Sequence, residues 1–215
     1  MRYIEKGESP SFFEQEKLTL QQDPSWKNLH CKPALRRHLM DEQKHLCAYC
    51  ECEVHEANSH IEHIVAQSEQ DALRFDYDNL IVSCNGVQCD SEAKKAYKPE
   101  DVHSCGHKKL DELNAALFLN PVVETEISHY FDYDAISGAI MASNQNEPKA
   151  DYTIELLNLD NSRLRNARLN AKAALVASVS EFRKTHNAKT VQEITGFLLN
   201  KPPAFVSFLT HCFHV

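Results

Sequence analysis

Cys47 and Cys50 stand two residues apart in the run Cys47-Ala48-Tyr49-Cys50. That spacing lets two thiolates bend around one tetrahedral zinc through a tight knuckle. Two thiolates are half of a closed site, so the second pair must come from Cys84, Cys89 and Cys105. Cys84 and Cys105 are the expected partners, because Cys84 ends an extended segment and Cys105 starts a helical one, and both could close on the knuckle. Cys89 is the alternative, and Cys52 is read as a bystander. Six of the eight cysteines fall between positions 47 and 105, beside His45, His55, His60, His63, His103 and His107. Such crowding is what a metal site produces, and simple buried thiols are the competing reading.

A second signal is His60-Ile61-Glu62-His63-Ile64. In an extended strand, Glu62 and His60 point one way while Ile61 and His63 point the other, unless the strand ends or bulges there. A carboxylate suits a hard divalent ion, and a neighbouring imidazole can take a proton from water. Taken alone, two strand histidines are more often structural. Lys94, Lys95, Lys98, Lys108 and Lys109 cluster nearby and could meet phosphates, although a lysine run is usually a solvated face.

The elements that must position these residues are legible in outline. Residues 1–30 read as an arm with a short helix near 10–21 and hold the one tryptophan, Trp26. Pro33 to Leu46 reads as a helix with Leu35, Leu39 and Leu46 on one side, leading directly into the knuckle. His60–Val65 and Leu80–Cys84 are expected strands, separated by a polar loop. From Gly106 the pattern turns helical, with Leu110, Leu113, Leu117 and Phe118 on one face. Residues 122–142 suggest a hairpin turning at Ser137-Gly138, and a helix capped by Asp160 or Asn161 is expected to run to about Lys184. Its Arg165, Arg168 and Lys172 fall at helical spacing, a weak candidate for nucleic-acid contact. Two last helices are expected near 190–200 and 203–212.

With 215 residues, 42% of them apolar and 25% charged, the chain is expected to form one compact unit. The opening MRYIEKGESP lacks a signal-peptide core, and no run of eighteen apolar residues exists, so a cytoplasmic protein without a membrane span is expected. That compartment is reducing, which again favours metal ligands over disulfides. A formal charge of −8 argues against coating nucleic acid through a broad basic surface, but a local patch or a partner could supply the attraction.

Taken in order, Cys47-x-x-Cys50, Ile61-Glu62-His63-Ile64, Asp78-Asn79-Leu80-Ile81-Val82-Ser83-Cys84 and Cys105-Gly106-His107-Lys108-Lys109 resemble the zinc-bearing form of the HNH endonuclease family. The resemblance covers roughly residues 45–118. It implies an α+β fold with a central ββα-metal module at 33–120, an N-terminal arm at 1–32, and a hairpin with C-terminal helices at 121–215. It further implies His63 as general base, Glu62 and His107 as ligands of a catalytic Mg²⁺ or Mn²⁺, and Asn79 as the residue that holds the loop. Lys108 and Lys109 would then contact phosphate, and Cys47, Cys50, Cys84 and Cys105 would hold a structural Zn²⁺. His60 has no assigned duty beyond packing or support.

The flanks look similar to subunits encoded in bacterial antiphage loci, among them the Septu system and certain retron operons, where an ATPase accompanies the HNH protein. The resemblance therefore implies a nuclease effector that cuts nucleic acid, DNA before RNA, with an ABC or SMC-like ATPase partner. The competing class is a zinc-stabilised binding module without catalysis, which leaves the order Glu62-His63, Asn79, His107 as coincidence. A zinc hydrolase of small molecules would need an open position on the zinc, which four thiolates do not leave.

Overall fold

A computed structural model describes residues 1–20, 24–86, 95–185 and 202–214. It is a mixed helix and strand structure whose small sheets are two antiparallel pairs. Helix α1 spans Ser11–Thr19 and buries Phe13. Helix α2, Lys32–Glu42, carries its proline in the first turn, where a missing N–H costs nothing, and buries Leu35, Leu39 and Met40. Burying a leucine fully stabilises by about 1.5–3 kcal/mol, so this stripe anchors the helix. It stops where Lys44 and His45 turn to positive φ.

Gln43 then does work no periodicity announces. Its buried amide donates to the carbonyls of Leu46 and Val82 and accepts from the Val82 N–H, tying the end of α2 to the second strand. Strand β1, Ser59–His63, pairs antiparallel with β2, Leu80–Cys84, in a register that sets Glu62 opposite Ile81 and His63 opposite Leu80. All five residues of β2 are buried. β1 ends at His63, shorter than expected, although Ile64 N–H still reaches the carbonyl of Asn79, its partner in the same register.

Two short helices follow, α3 at Pro99–Val102 and α4 at Gly106–Lys109. The long helix expected from Gly106 is thus cut to a single turn: Leu110 takes positive φ and stands 66% exposed, while Phe118 turns inward. A hairpin of β3, Phe131–Tyr133, and β4, Ile140–Ala142, comes next. At its turn only glycine fits, since Gly138 has φ +72 and a Cβ there would lie 2.5 Å from the Arg165 carbonyl oxygen. Helix α5 is Glu147–Leu157 and α6 is Ser162–Thr185, with the Asn161 side chain accepting from Leu164 N–H as expected of a cap. Helix α7 is Val206–Phe213, and the helix expected at 190–200 lies outside the described residues.

One hydrophobic cluster joins Met1, Ile4 and Phe13 of the arm to the residues around β1 and β2 and to Leu164, Leu175 and Phe208 of the C-terminal helices. The basic stripe on α6 is committed to this packing. Arg168 is buried and donates to the carbonyls of Gly138 and Leu159, Lys172 donates to Ala135, and Arg165 pairs with Asp160. Those charges hold the hairpin against the helix and are not free for phosphate. Among the described residues no helix is long and apolar enough to cross a membrane.

Candidate metal and catalytic site

The knuckle forms as the spacing requires. Cys47 N–H donates to the Cys52 carbonyl, Glu51 N–H donates to the Cys47 carbonyl, and Glu51 takes φ 64 to complete the bend. The Cys84 N–H points at Cys47 Sγ, 3.3 Å away. Sulfurs of Cys47, Cys50, Cys52 and Cys84 lie within 4.8 Å of one another, a four-cysteine cluster able to hold a metal ion. The Sγ atoms of Cys50 and Cys84 are 3.7 Å apart. Two sulfurs about 2.3 Å from a tetrahedral zinc stand about 3.8 Å from each other, so the spacing fits.

Cys105 complicates the fourth position. It is fully buried and its thiol interacts with those of Cys47, Cys50 and Cys84, while Cys52, expected to be a bystander, sits inside the tight group and is partly exposed. Five thiols therefore share one corner, with Cys47, Cys50 and Cys84 common to both quartets. Burial alone would push the Cys47 thiol up, but hydrogen bonds from Cys105, Cys50, Cys52 and Cys84 outweigh it and hold Cys47 low; Cys84 is held low chiefly by Cys105. Cys89 lies outside the described residues.

On β1, alternation places His60 and Glu62 on the same face, as expected of an extended strand. Glu62 Oε2 is 3.4 Å from His60 Nε2. Its Oε1 is 3.0 Å from Lys109 Nζ, a contact of charges only, because that ammonium spends its hydrogens on the carbonyls of His63, Ile64 and Leu110. Oε1 thus remains a buried carboxylate oxygen without an aligned donor. Lys109 is 1% exposed and braces the end of β1, so it faces the carboxylate and not a phosphate in solvent. Lys108 is exposed.

His107, on α4, brings its ring to 4.4 Å from that of His60, and both imidazoles meet Asn85 Oδ1, at 3.2 Å from His107 Nε2 and 2.8 Å from His60 Nδ1. Burial draws the His60 pKa down, but hydrogen bonds to Glu62 and Asn85 outweigh it and the net shift is upward. His107 is lowered by burial first and by His60 second. Gly106 makes room for this group: a Cβ there would lie 2.6 Å from Glu62 Oε2 and 2.9 Å from His60 Nε2. Glu62 Oε2, on the side away from Lys109, and the neighbouring imidazole nitrogens are donors that suit a divalent cation such as Mg²⁺ or Mn²⁺, and the missing side chain at Gly106 keeps them clear. Gly106→Ala is accordingly expected to force the carboxylate aside, destabilise the zinc-loaded protein by about 1–3 kcal/mol and weaken divalent-ion binding, as read by urea unfolding and calorimetry.

His63 points away from Glu62, at the strand end. Its Nε2 lies 2.9 Å from the Arg74 carbonyl, which can only accept, so Nε2 carries the proton and Nδ1 keeps a lone pair. Gln67 Nε2 donates to that Nδ1 at 3.3 Å, and Trp26 of the arm packs edge-on against the ring at 4.5 Å. Burial lowers the His63 pKa, partly offset by the Arg74 carbonyl, so the neutral base form is favoured. Asn79 is buried in the loop between the strands, accepting from Val65 N–H and donating to the carbonyls of Val65 and Leu73. Asn79 and the Arg74 carbonyl thereby belong to one pinned loop.

Sequence reasoning missed Asn85, Gly106, Gln67 and Trp26 as parts of this site, and gave His60 no duty. Glycine between Cys105 and His107 was the one available signal; the others are assembled by folding alone.

No protein-family model matches the chain. Among curated proteins it is 26% identical, over 168 aligned residues, to an Escherichia coli protein described as "Retron Ec83 putative HNH endonuclease", the alignment covering 62% of each chain. The chain therefore spans less than two thirds of that relative. The likeness to that putative HNH endonuclease is a distant one.

Proposed function

We propose that the protein is a metal-dependent HNH endonuclease that hydrolyses phosphodiester bonds. The observation that carries this reading is the division of labour at the end of β1: Glu62 turns to His60 and the His107 helix, while His63 is held as a neutral imidazole with Nδ1 as its acceptor nitrogen. Glu62 and His107 would hold Mg²⁺ or Mn²⁺, and when bound the ion supplies Lewis acidity toward a phosphoryl oxygen. His63 takes a proton from the attacking water at Nδ1, where water replaces the Gln67 N–H, and its Nε2–H stays anchored on the Arg74 carbonyl. Asn79 keeps the loop that carries Arg74 at a fixed distance from β1. Lys109 holds the backbone carbonyls of His63 and Ile64, fixing where the base starts. The cysteine cluster would hold a structural zinc that braces the knuckle against β2 and takes no part in hydrolysis.

DNA is the preferred substrate over RNA on this reading. The likeness to a retron-associated protein supports a role as the nuclease effector of an antiphage complex, with an ABC or SMC-like ATPase supplying what an acidic chain lacks in affinity for nucleic acid. The test is to purify the zinc-loaded chain with and without the product of the neighbouring gene and assay plasmid DNA and total RNA with Mg²⁺, Mn²⁺ or chelator. Ion-dependent cleavage is expected, lost in Glu62→Gln and His107→Ala. No cleavage of either substrate by the folded, zinc-loaded protein with its partner present would leave the binding-module reading in its place.

A further inference from the structure

We propose that residues 24–27 of the arm form a subsite for an unpaired nucleic-acid strand, with Trp26 as the surface on which a base stacks and Lys27 and Lys32 as the phosphate partners; this rests on the nuclease reading above. Three observations carry it. First, Trp26 stands between two clefts. One, of about 370 Å³, is lined by Pro24, Ser25, Trp26, Lys27, Gln67 and Arg74, and Gln67 is the residue that meets His63 Nδ1. The other, of about 300 Å³, is lined by Trp26 with Lys32, Pro33, Arg36, His60 and Ile61. The indole is half-buried, and its ring centre lies 4.5 Å from that of His63. A strand running from one cleft to the other passes Trp26 beside the proposed base.

Second, the charge is complementary to a polyanion. The chain carries −8, yet neither cleft has an aspartate or glutamate among its lining residues and each has two cations. Arg74 is neutralised by Asp71. Lys32 Nζ donates to the carbonyls of Trp26 and Lys27, which are neutral, and Lys27 is exposed. Their charges are left to attract phosphate on a chain that is otherwise acidic. Lys109 cannot serve in their place, because it is buried against Glu62.

Third, the subsite is preformed. Arg74 donates to the Pro24 carbonyl from one side, Lys32 holds the next two carbonyls from the other, and Ser25 Oγ accepts from the Lys27 N–H. Trp26 also packs on Phe75, with ring centres 5.9 Å apart. An aromatic ring already fixed in place loses little freedom when a base stacks on it. Stacking needs a base face that is not covered by its neighbours in a duplex, so the occupant is a single strand.

Trp26 is the chain's one tryptophan, so its intrinsic emission reports on this subsite alone. The test titrates a short oligothymidylate, single-stranded or annealed to its complement, into the full-length, zinc-loaded protein. No Mg²⁺ or Mn²⁺ is added, so nothing is cut, and both the emission and the anisotropy of a label on the strand are followed. Saturable quenching by the single strand is expected, with the duplex bound at least about fivefold more weakly, the lower worth of one stacked base. Lys27→Glu is expected to weaken single-strand binding and reduce its dependence on salt, with zinc content and thermal unfolding as in the parent. Unquenched emission at saturating single strand, equal affinity for the duplex, or unchanged binding by Lys27→Glu overturns the subsite. Mg²⁺-dependent cleavage in the same preparation would then leave the nuclease reading intact. A protein that binds neither form, and cleaves neither with its partner present, overturns both.

Discussion

Replacing His63 by alanine is expected to lower the cleavage rate by about 10²–10⁴-fold, the range a positioned general base contributes. The fold should survive. His63 touches Trp26, Gln67 and the Arg74 carbonyl, so the substitution leaves one carbonyl unpaired, a loss of about 1–3 kcal/mol, and removes nothing from the cysteine cluster or the Glu62 group. Zinc content and Mn²⁺ affinity should match the parent's. Cleavage by His63→Ala at the parent's rate would end the catalytic assignment and favour a binding module.

The same residue sets the sign of the pH dependence. Burial places the folded-state pKa of His63 below the ordinary value of 6.5. The neutral form is the one that accepts a proton, so cleavage should persist at pH 6.5 and fall only as pH drops through that lowered value. Stability follows the same direction. Between the two values the unfolded chain binds more protons, so the contribution of neutral His63 is complete above 6.5 and is lost as pH falls through the folded-state pKa. A pH–rate profile whose acid limb lies at or above 6.5 would contradict this placement.

Loss of the ion proposed for the cysteine cluster, a structural zinc, is expected to have the larger effect on stability. Structural zinc contributes on the order of 10 kcal/mol in small zinc-binding peptides, more than the net stability of most domains. Cys47, Cys50 and Cys84 are buried between the end of α2, β2 and the helices after it, so removing the ion leaves packed thiols with no ligand to gather. A strong chelator should convert the cooperative unfolding transition into a broad one, and Cys84→Ser should purify with little zinc. A chelator-treated protein that melts as the untreated one does would show that the cluster is only buried sulfur.

The fourth ligand can be read from a pair of substitutions. Cys105 is fully buried and sits at φ 59, a conformation that costs energy for a residue with a Cβ and persists where surrounding bonds over-determine it. A zinc–sulfur bond is such a constraint, and it would fix the start of α4, hence His107 and Lys109. Cys105→Ser is expected to lose zinc and divalent-ion affinity together. Cys52→Ser, on a partly exposed residue, is expected to lose neither. The opposite result would assign the site to the tight group that includes Cys52.

Local chemistry was legible before any folding. The knuckle follows from two cysteines at one spacing, β2 from the extended segment Leu80 to Cys84, the shared face of His60 and Glu62 from the two-residue period of a strand, and the start of α6 from a cap at Asp160 or Asn161. Each depends on neighbours within a few residues, and short-range geometry is fixed by residue type. What the linear chain could not state is which distant groups meet. Asn85 between two imidazoles, the Arg74 carbonyl that sets the His63 tautomer, Trp26 across the base and Lys109 turned inward onto backbone carbonyls all depend on the path of the loops. The one-turn length of α4 was decided in the same way, since Lys109 is drawn into the protein and Leu110 is left in solvent against its own apolar character. Residue types set which atoms can bind an ion or take a proton, and the packing of β1 against β2 and α4 set where those atoms stand, because a lone pair acquires a direction only from the partner that holds the other side of its ring.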